Sequence, residues 1–149
     1  MTIIQDSNKF GSLDKNELKQ FELKYGISLP ADYRAFLIEN NGGDPFGYIE
    51  PIMQTDIQWI YGLHRGEYWA SLYYIAEELL EGQIPNKLLP IANDSGGNFF
   101  VLSMREEDYS KLYFWDHEEE LEEDRSKWFK ILHPVANSFT EFINGFIKQ

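Results

Sequence analysis

Apolar positions along this chain follow two rhythms, and the change between them sets the expected architecture. Near the start they recur at helical spacing: Leu18, Phe21 and Tyr25 stand at i, i+3 and i+7 on one helix face. Asp14-Lys15-Asn16-Glu17 has the spacing of a capping box, with Asp14 accepting from an early backbone N–H and Glu17 reaching back. Gly26 suits the left-handed residue that closes such a helix. Ile27-Ser28-Leu29 connects to a second helix, with Pro30 in the first turn, where a missing N–H costs nothing. Tyr33, Phe36 and Leu37 form its apolar stripe, and Asn40-Asn41-Gly42-Gly43 ends it. Residues 1–11 are a weakly patterned lead-in.

The middle of the chain changes rhythm. Asp44 to Pro51 reads as loop, because Pro45, Gly47 and Pro51 oppose a regular element. Trp59-Ile60-Tyr61-Gly62-Leu63 reads as a strand and His64-Arg65-Gly66-Glu67 as an exposed turn. Ser71 caps a third helix with Leu72, Ile75, Ala76, Leu79 and Leu80 on one face, closed by Gly82. Between Leu89 and His117, three runs rich in β-branched and aromatic residues predict three successive strands. Asn93 to Gly97 turns between the first two, since Asn and Asp bond their own backbone and Gly takes positive φ without strain. Arg105 to Lys111 reads as a looser polar connection. Trp128 to Leu132 predicts a further short strand, and Pro134 starts a last helix with Phe139, Phe142, Ile143, Phe146 and Ile147 as its core stripe. Two helices, mostly strands with one helix inserted, then a helix: the order is α+β, with helices covering a sheet face.

Composition narrows the possibilities. A chain of 149 residues, 43% hydrophobic and 16% aromatic, is expected to form one domain over 1–149 with a packed core. The absence of Cys excludes disulfides and thiolate zinc sites and fits a cytoplasmic protein. No basic stretch followed by an apolar one opens the chain, so no signal peptide is expected. No apolar run approaches the roughly 20 residues that a membrane helix needs. The net charge is −12, and residues 105–125 hold ten acids against three bases. Such a surface repels nucleic acid and anionic lipid and speeds encounter with a basic protein.

Each chemical constellation has a plain structural counterpart. Asp94-Ser95-Gly96-Gly97 resembles an anion cradle, but a strand follows it where a phosphate loop needs a helix, so it reads as a turn. Asp94, Asp116 and His117, with His64 or His133, suggest a metal-dependent hydrolase, yet no pair has a tight ligand spacing. Without Cys or a Gly-x-Ser-x-Gly elbow, classical nucleophilic catalysis has no carrier. Trp59, Trp69, Trp115 and Trp128 read mainly as core and cross-strand pairs. Tyr68-Trp69 and Tyr73-Tyr74 flank a helix start, so some of these rings must lie near the surface, where aromatics beside acids make interface hot spots. The acidic run Asp116 to Asp124 is either a solvated face or a binding face.

Four blocks then resemble one family. Leu29-Pro30-Ala31-Asp32-Tyr33-Arg34-Ala35-Phe36-Leu37, ending in Asn40-Asn41-Gly42-Gly43, resembles the opening of the SUKH superfamily, whose founding members are fungal cell-wall-assembly regulators. Ile84-Pro85 through Asn98 is similar to its middle signature. Tyr113 to His117 and Ser138 to Ile143 are similar to its last two blocks. Together they cover roughly residues 13–147, with the poorest match over 44–80. The resemblance implies an α+β domain with a mixed or largely antiparallel sheet and helices packed on it, and no catalytic residues. Bacterial members are typically immunity proteins that neutralise a cognate toxin, often a nuclease; fungal members are regulatory scaffolds.

The expected function is therefore stoichiometric: an immunity protein, monomeric or weakly dimeric, that occludes the basic cleft of a cognate toxin. The expected face has Trp115 for positioning and Asp116, Glu118, Glu119, Glu120, Glu122 and Glu123 for charge, with Tyr68 and Trp69 as anchors. The alternative is a non-catalytic regulatory or scaffold domain that binds another protein. Residues 44–80 are where partner specificity is expected to reside.

Overall fold

In a computed structural model that describes residues 4–45, 47–49, 55–116, 131–145 and 147–148, the opening helices form where their capping residues dictate. Helix α1 spans Lys15–Tyr25; Asp14 accepts from the N–H groups of Asn16 (2.6 Å) and Glu17 (3.2 Å), and Gly26 closes the helix at φ 63°. Glu17 is not seen reaching back to complete a capping box. Its Oε2 accepts instead from the Tyr73 hydroxyl at 2.6 Å, a tie across 56 positions of sequence. Helix α2 spans Ala31–Asn40, with Pro30 at its cap and Asn41 left-handed at its end. Glu22 ties the two helices by accepting from Leu29 N–H at 2.8 Å and pairing with Arg34 at 3.3 Å.

The strands are β1 (Gly47–Ile49), β2 (Thr55–Ile57), β3 (Trp59–Ile60), β4 (Leu88–Asn93), β5 (Phe99–Ser103), β6 (Leu112–Trp115), β7 (Leu132–Ala136) and β8 (Ile147–Lys148). Among the described residues they form a five-stranded antiparallel sheet, β3-β4-β5-β6-β7, and a small sheet, β2-β1-β8. The three central strands lie where the apolar runs place them. Strand β1 corrects the loop expected over 44–51. Pro45 precedes it and removes no ladder bond, so pairing with β2 and β8 overrides the local turn chemistry.

Residues paired across the large sheet share a face. One face carries the rows Leu89-Leu102-Leu112-Ala136 and Ile60-Ala92-Phe100-Phe114, and it meets the helices. Phe100 lies 5.3 Å ring to ring from Phe142, while Phe139 packs on Tyr33 at 5.1 Å and Phe36 at 4.9 Å. The other face carries the row Trp59-Asn93-Phe99-Trp115-Leu132. A second apolar cluster of Leu88, Val101 and Trp115 forms there. A bulge at Ile91 shifts the β4 register, and apolar clusters on both faces of the strand bury Leu88 to Ala92 without alternation.

The end of the chain departs from expectation. Pro134 does not start a helix; it lies within β7, opposite Tyr113. Strand β7 is last in the sheet order, the position where a missing N–H is tolerated. Helix α4 begins only at Phe139 and ends at Asn144, capped by Ser138, whose Oγ accepts from Glu141 N–H at 3.0 Å. Ile147 belongs to β8 and not to the helical stripe. Of the strand expected over 128–132, Leu132 opens β7, while Trp128 and Phe146 lie outside the described residues.

The third helix also differs. Ser71 caps it as expected, but the α-helical part is one turn, α3 (Leu72–Tyr74), which widens into a π-helical turn over Ile75–Leu79. The extra residue rotates the following side chains, so that Leu80 is fully buried and Leu79 only partly. The connection Arg105 to Lys111 is tighter than a loose polar loop. Asp108 collects Ser103 Oγ at 2.5 Å, Arg105 Nε at 3.0 Å and the Tyr113 hydroxyl. Burial alone would raise its pKa, but these hydrogen bonds hold the carboxyl below the usual carboxylate range.

Candidate interaction surface

The segment after β3 loops out and returns to its own start. Gly62 N–H donates to Ala70 O at 3.0 Å, and Leu72 N–H to Gly62 O at 2.9 Å, which sews the two ends of the loop together. Asn41 anchors this loop to the end of α2. Its Nδ2 donates to Gly11 O (2.9 Å) and Leu63 O (3.2 Å), and its Oδ1 accepts from Leu63 N–H at 2.8 Å. The approach is so close that a Cβ at Gly62 would stand 2.0 Å from Asn41 O. Asn41-Gly42-Gly43 is thus a helix stop that also serves as a clamp.

His64 organises the loop from within. It is buried, unlike the exposed turn expected at 64–67; Arg65, Gly66 and Glu67 are exposed. Its Nδ1 accepts from Gly66 N–H at 3.1 Å, and its carbonyl accepts from Ser71 Oγ at 2.5 Å. Burial lowers the imidazole pKa, while the Ala70 backbone and the charge of Glu17 act the other way.

A 3-10 turn, Tyr68–Ala70, projects from the loop and carries the aromatic surface. Trp69 packs edge-on against Trp59 at 5.2 Å and Phe10 at 5.8 Å, and Phe10 also lies 4.7 Å from the His64 ring. Tyr68 meets Tyr74 at 5.1 Å. Outwardly, Tyr68 is 64% exposed, Trp69 40% and Tyr74 38%. Beside them Arg65 makes a two-pronged pair with Glu77, both contacts 2.8 Å, and lies 4.3 Å over the Tyr73 ring. The hydrogen bonds between them raise the Arg65 pKa and lower that of Glu77, so both stay charged.

The expected site residues divide into three groups. Tyr68 and Trp69 are exposed, Trp69 backed by Trp59 and Phe10 and Tyr68 resting against Tyr74. Trp115 is only 5% exposed, stacked on Phe99 at 5.2 Å; it lies in the core and can position a surface but hardly touch one. Asp116, half-buried, follows it at the same end of the sheet as Trp59 and the Asp94 turn. Three strand spacings of about 4.8 Å separate β3 from β6, so the Trp59 and Trp115 backbones lie about 14 Å apart. Glu118, Glu119, Glu120, Glu122 and Glu123 lie outside the described residues. Tyr74 belongs with Tyr68 and Trp69, as the paired tyrosines suggested. The support given by Phe10 was not legible, because a lone aromatic in an unpatterned lead-in gives no periodic signal.

The hydrolase residues do not assemble. Asp94 accepts from Gly96 N–H (3.0 Å), Asn98 N–H (2.8 Å), Asn98 Nδ2 (2.8 Å) and Thr55 Oγ1 (2.7 Å), which makes it the organiser of its turn. His64 lies under the aromatic surface, His133 sits on β7 opposite Phe114, and His117 is outside the described residues. Among the described residues no three His, Asp or Glu side chains converge as metal ligands. Nor, among them, is any helix long and apolar enough to cross a membrane.

Comparison with known proteins adds two findings. The model of the SMI1 / KNR4 family (SUKH-1) matches residues 12–145. The chain is also similar to the SPbeta prophage-derived uncharacterized protein YokK of Bacillus subtilis (strain 168). The two are 27% identical over 170 aligned residues, covering 97% of this chain and 80% of that protein.

Proposed function

This chain belongs to the SMI1 / KNR4 family (SUKH-1), and from that premise we propose that it is an immunity protein that binds and neutralises a cognate toxin. The observation that carries this reading is the exposed, firmly backed set Tyr68, Trp69 and Tyr74 on a chain of net charge −12. Rigid aromatic rings surrounded by acids suit a cationic protein partner and no nucleic acid. A nuclease must hold phosphates in a basic cleft, and an acidic body seated there excludes substrate by occupancy and charge. Residence of the similar Bacillus subtilis protein in a prophage supports a gene that travels with mobile DNA, where a toxin needs its antidote alongside. The action is stoichiometric, in the cytoplasm, with no cofactor. Asp116 and Glu118 to Glu123 supply charge, Trp115 positions the strand end from below, and Tyr68 and Trp69 anchor.

The test is to purify the protein with the product of the adjacent gene and assay that product's toxicity. A stoichiometric complex that abolishes the activity is the expected result. Binding instead to a non-toxic protein of the same cell would assign the regulatory or scaffold role. Turnover of a small molecule would defeat both.

A further inference from the structure

We propose that the Tyr68-Trp69-Tyr74 surface receives arginine side chains of the partner on its open ring faces, so that the anchor of the complex is a cation–π contact and not the acidic run. This deepens the immunity reading and rests on it for the partner's identity, though not for its chemistry. Three observations point the same way. First, the rings adjoining this surface already hold the chain's own cations. Arg65 lies 4.3 Å over Tyr73, and Lys9 lies 5.6 Å from the Phe10 ring and 5.9 Å from Trp59. The exposed Tyr68, Trp69 and Tyr74 take part in no such contact among the described residues.

Second, the local charge favours a cation. Residues 64–81 carry Glu67, Glu77, Glu78 and Glu81 against Arg65 alone, and Arg65 is already matched by Glu77. Third, the rings are held in place before binding. Trp69 is braced by Trp59 and Phe10, and Tyr68 by Tyr74, so little side-chain freedom is lost on contact. Arginine fits better than lysine, because a weakly hydrated planar guanidinium stacks on an aromatic face with less desolvation.

The experiment uses the intact 15N-labelled protein and an acetylated, amidated arginine-rich peptide. Two controls replace every arginine with citrulline or with lysine. The indole N–H signal of Trp69, identified by its loss in Trp69→Phe, reports occupancy. Salt is held at 0.15 M, where the Debye length is about 8 Å and diffuse attraction to the acidic chain is largely screened. The arginine peptide is expected to shift the Trp69 signal saturably, and the lysine peptide more weakly. The citrulline peptide is expected to leave it unmoved. The double variant Tyr68→Ala/Tyr74→Ala, altered only at exposed rings, is expected to bind about tenfold more weakly with the rest of its spectrum unchanged. Equal shifts with citrulline would mean an apolar contact and overturn the proposal. So would binding that survives the double variant but is lost on charge reversal at Glu118 to Glu123. Failure of the peptide alongside a tight toxin complex would sink the arginine anchor and leave the immunity reading standing.

Discussion

His64 lies against Phe10, accepts the Gly66 N–H on one ring nitrogen, and through its carbonyl receives Ser71. Protonating Nδ1 would turn that acceptor into a donor facing another donor. In the folded protein the imidazole takes up its proton only below the ordinary value of 6.5, chiefly because it is buried. Between those two pH values the unfolded chain binds a proton that the folded chain does not. The contribution of His64 to stability is therefore whole above pH 6.5 and declines as the pH falls below it. Urea denaturation from pH 7.5 to 5 is expected to show this decline, and His64→Gln to flatten it. An unchanged slope in that variant would assign the decline to other groups. At this scale the sequence revealed which residues are chemically notable, but not their environment. His64 stands in an otherwise exposed turn, and only packing against Phe10 and the sewn loop buries it.

Elements were legible where local chemistry and tertiary demand agree. The β4–β5 hairpin is the clearest case: Asn93 to Gly97 carries turn residues between two apolar runs, and the turn forms there. Asp94 is its keystone, accepting three hydrogen bonds inside the turn and one from Thr55, the first residue of β2. Asp94→Ala removes all four and leaves their half-buried or exposed donors to water, so it is expected to cost about 2 kcal/mol, read from the urea midpoint. Loss below 1 kcal/mol would mean that water replaces the carboxylate at little cost. Where the two demands diverge, the local reading fails. Pro134 is as acceptable at the first position of a helix as on the last strand of a sheet, and only the partner strand β6 decides between them. Likewise, Leu79 and Leu80 are equally apolar, and the π turn alone selects Leu80 for the core.

Over the whole molecule, charge and shape divide the labour of binding in the proposed function. Exposed acids act at long range and govern encounter, whereas desolvated aromatic contacts govern how long a complex lasts. Charge reversal at Glu118 to Glu123 is thus expected to lower the association rate with the toxin, most strongly at low salt. Trp69→Ala is expected to raise the dissociation rate about tenfold or more with little effect on association. Stopped-flow measurements across a salt series separate the two, and an identical change in both rates for both variants would count against the division. The sequence by itself determined the α+β class, the three central strands, the capped helices, the acidic balance and that some of the rings flanking Ser71 reach the surface. These follow from periodicity, turn chemistry and charge, all of which act between near neighbours or depend on composition alone. Tertiary structure alone decided that Phe10 and Trp59 brace Trp69, that β1 pairs with β8, and that Asn41 clamps the loop beneath the aromatic surface. Each of these contacts joins residues far apart in the chain, and their energies exist only once folding has brought the partners together.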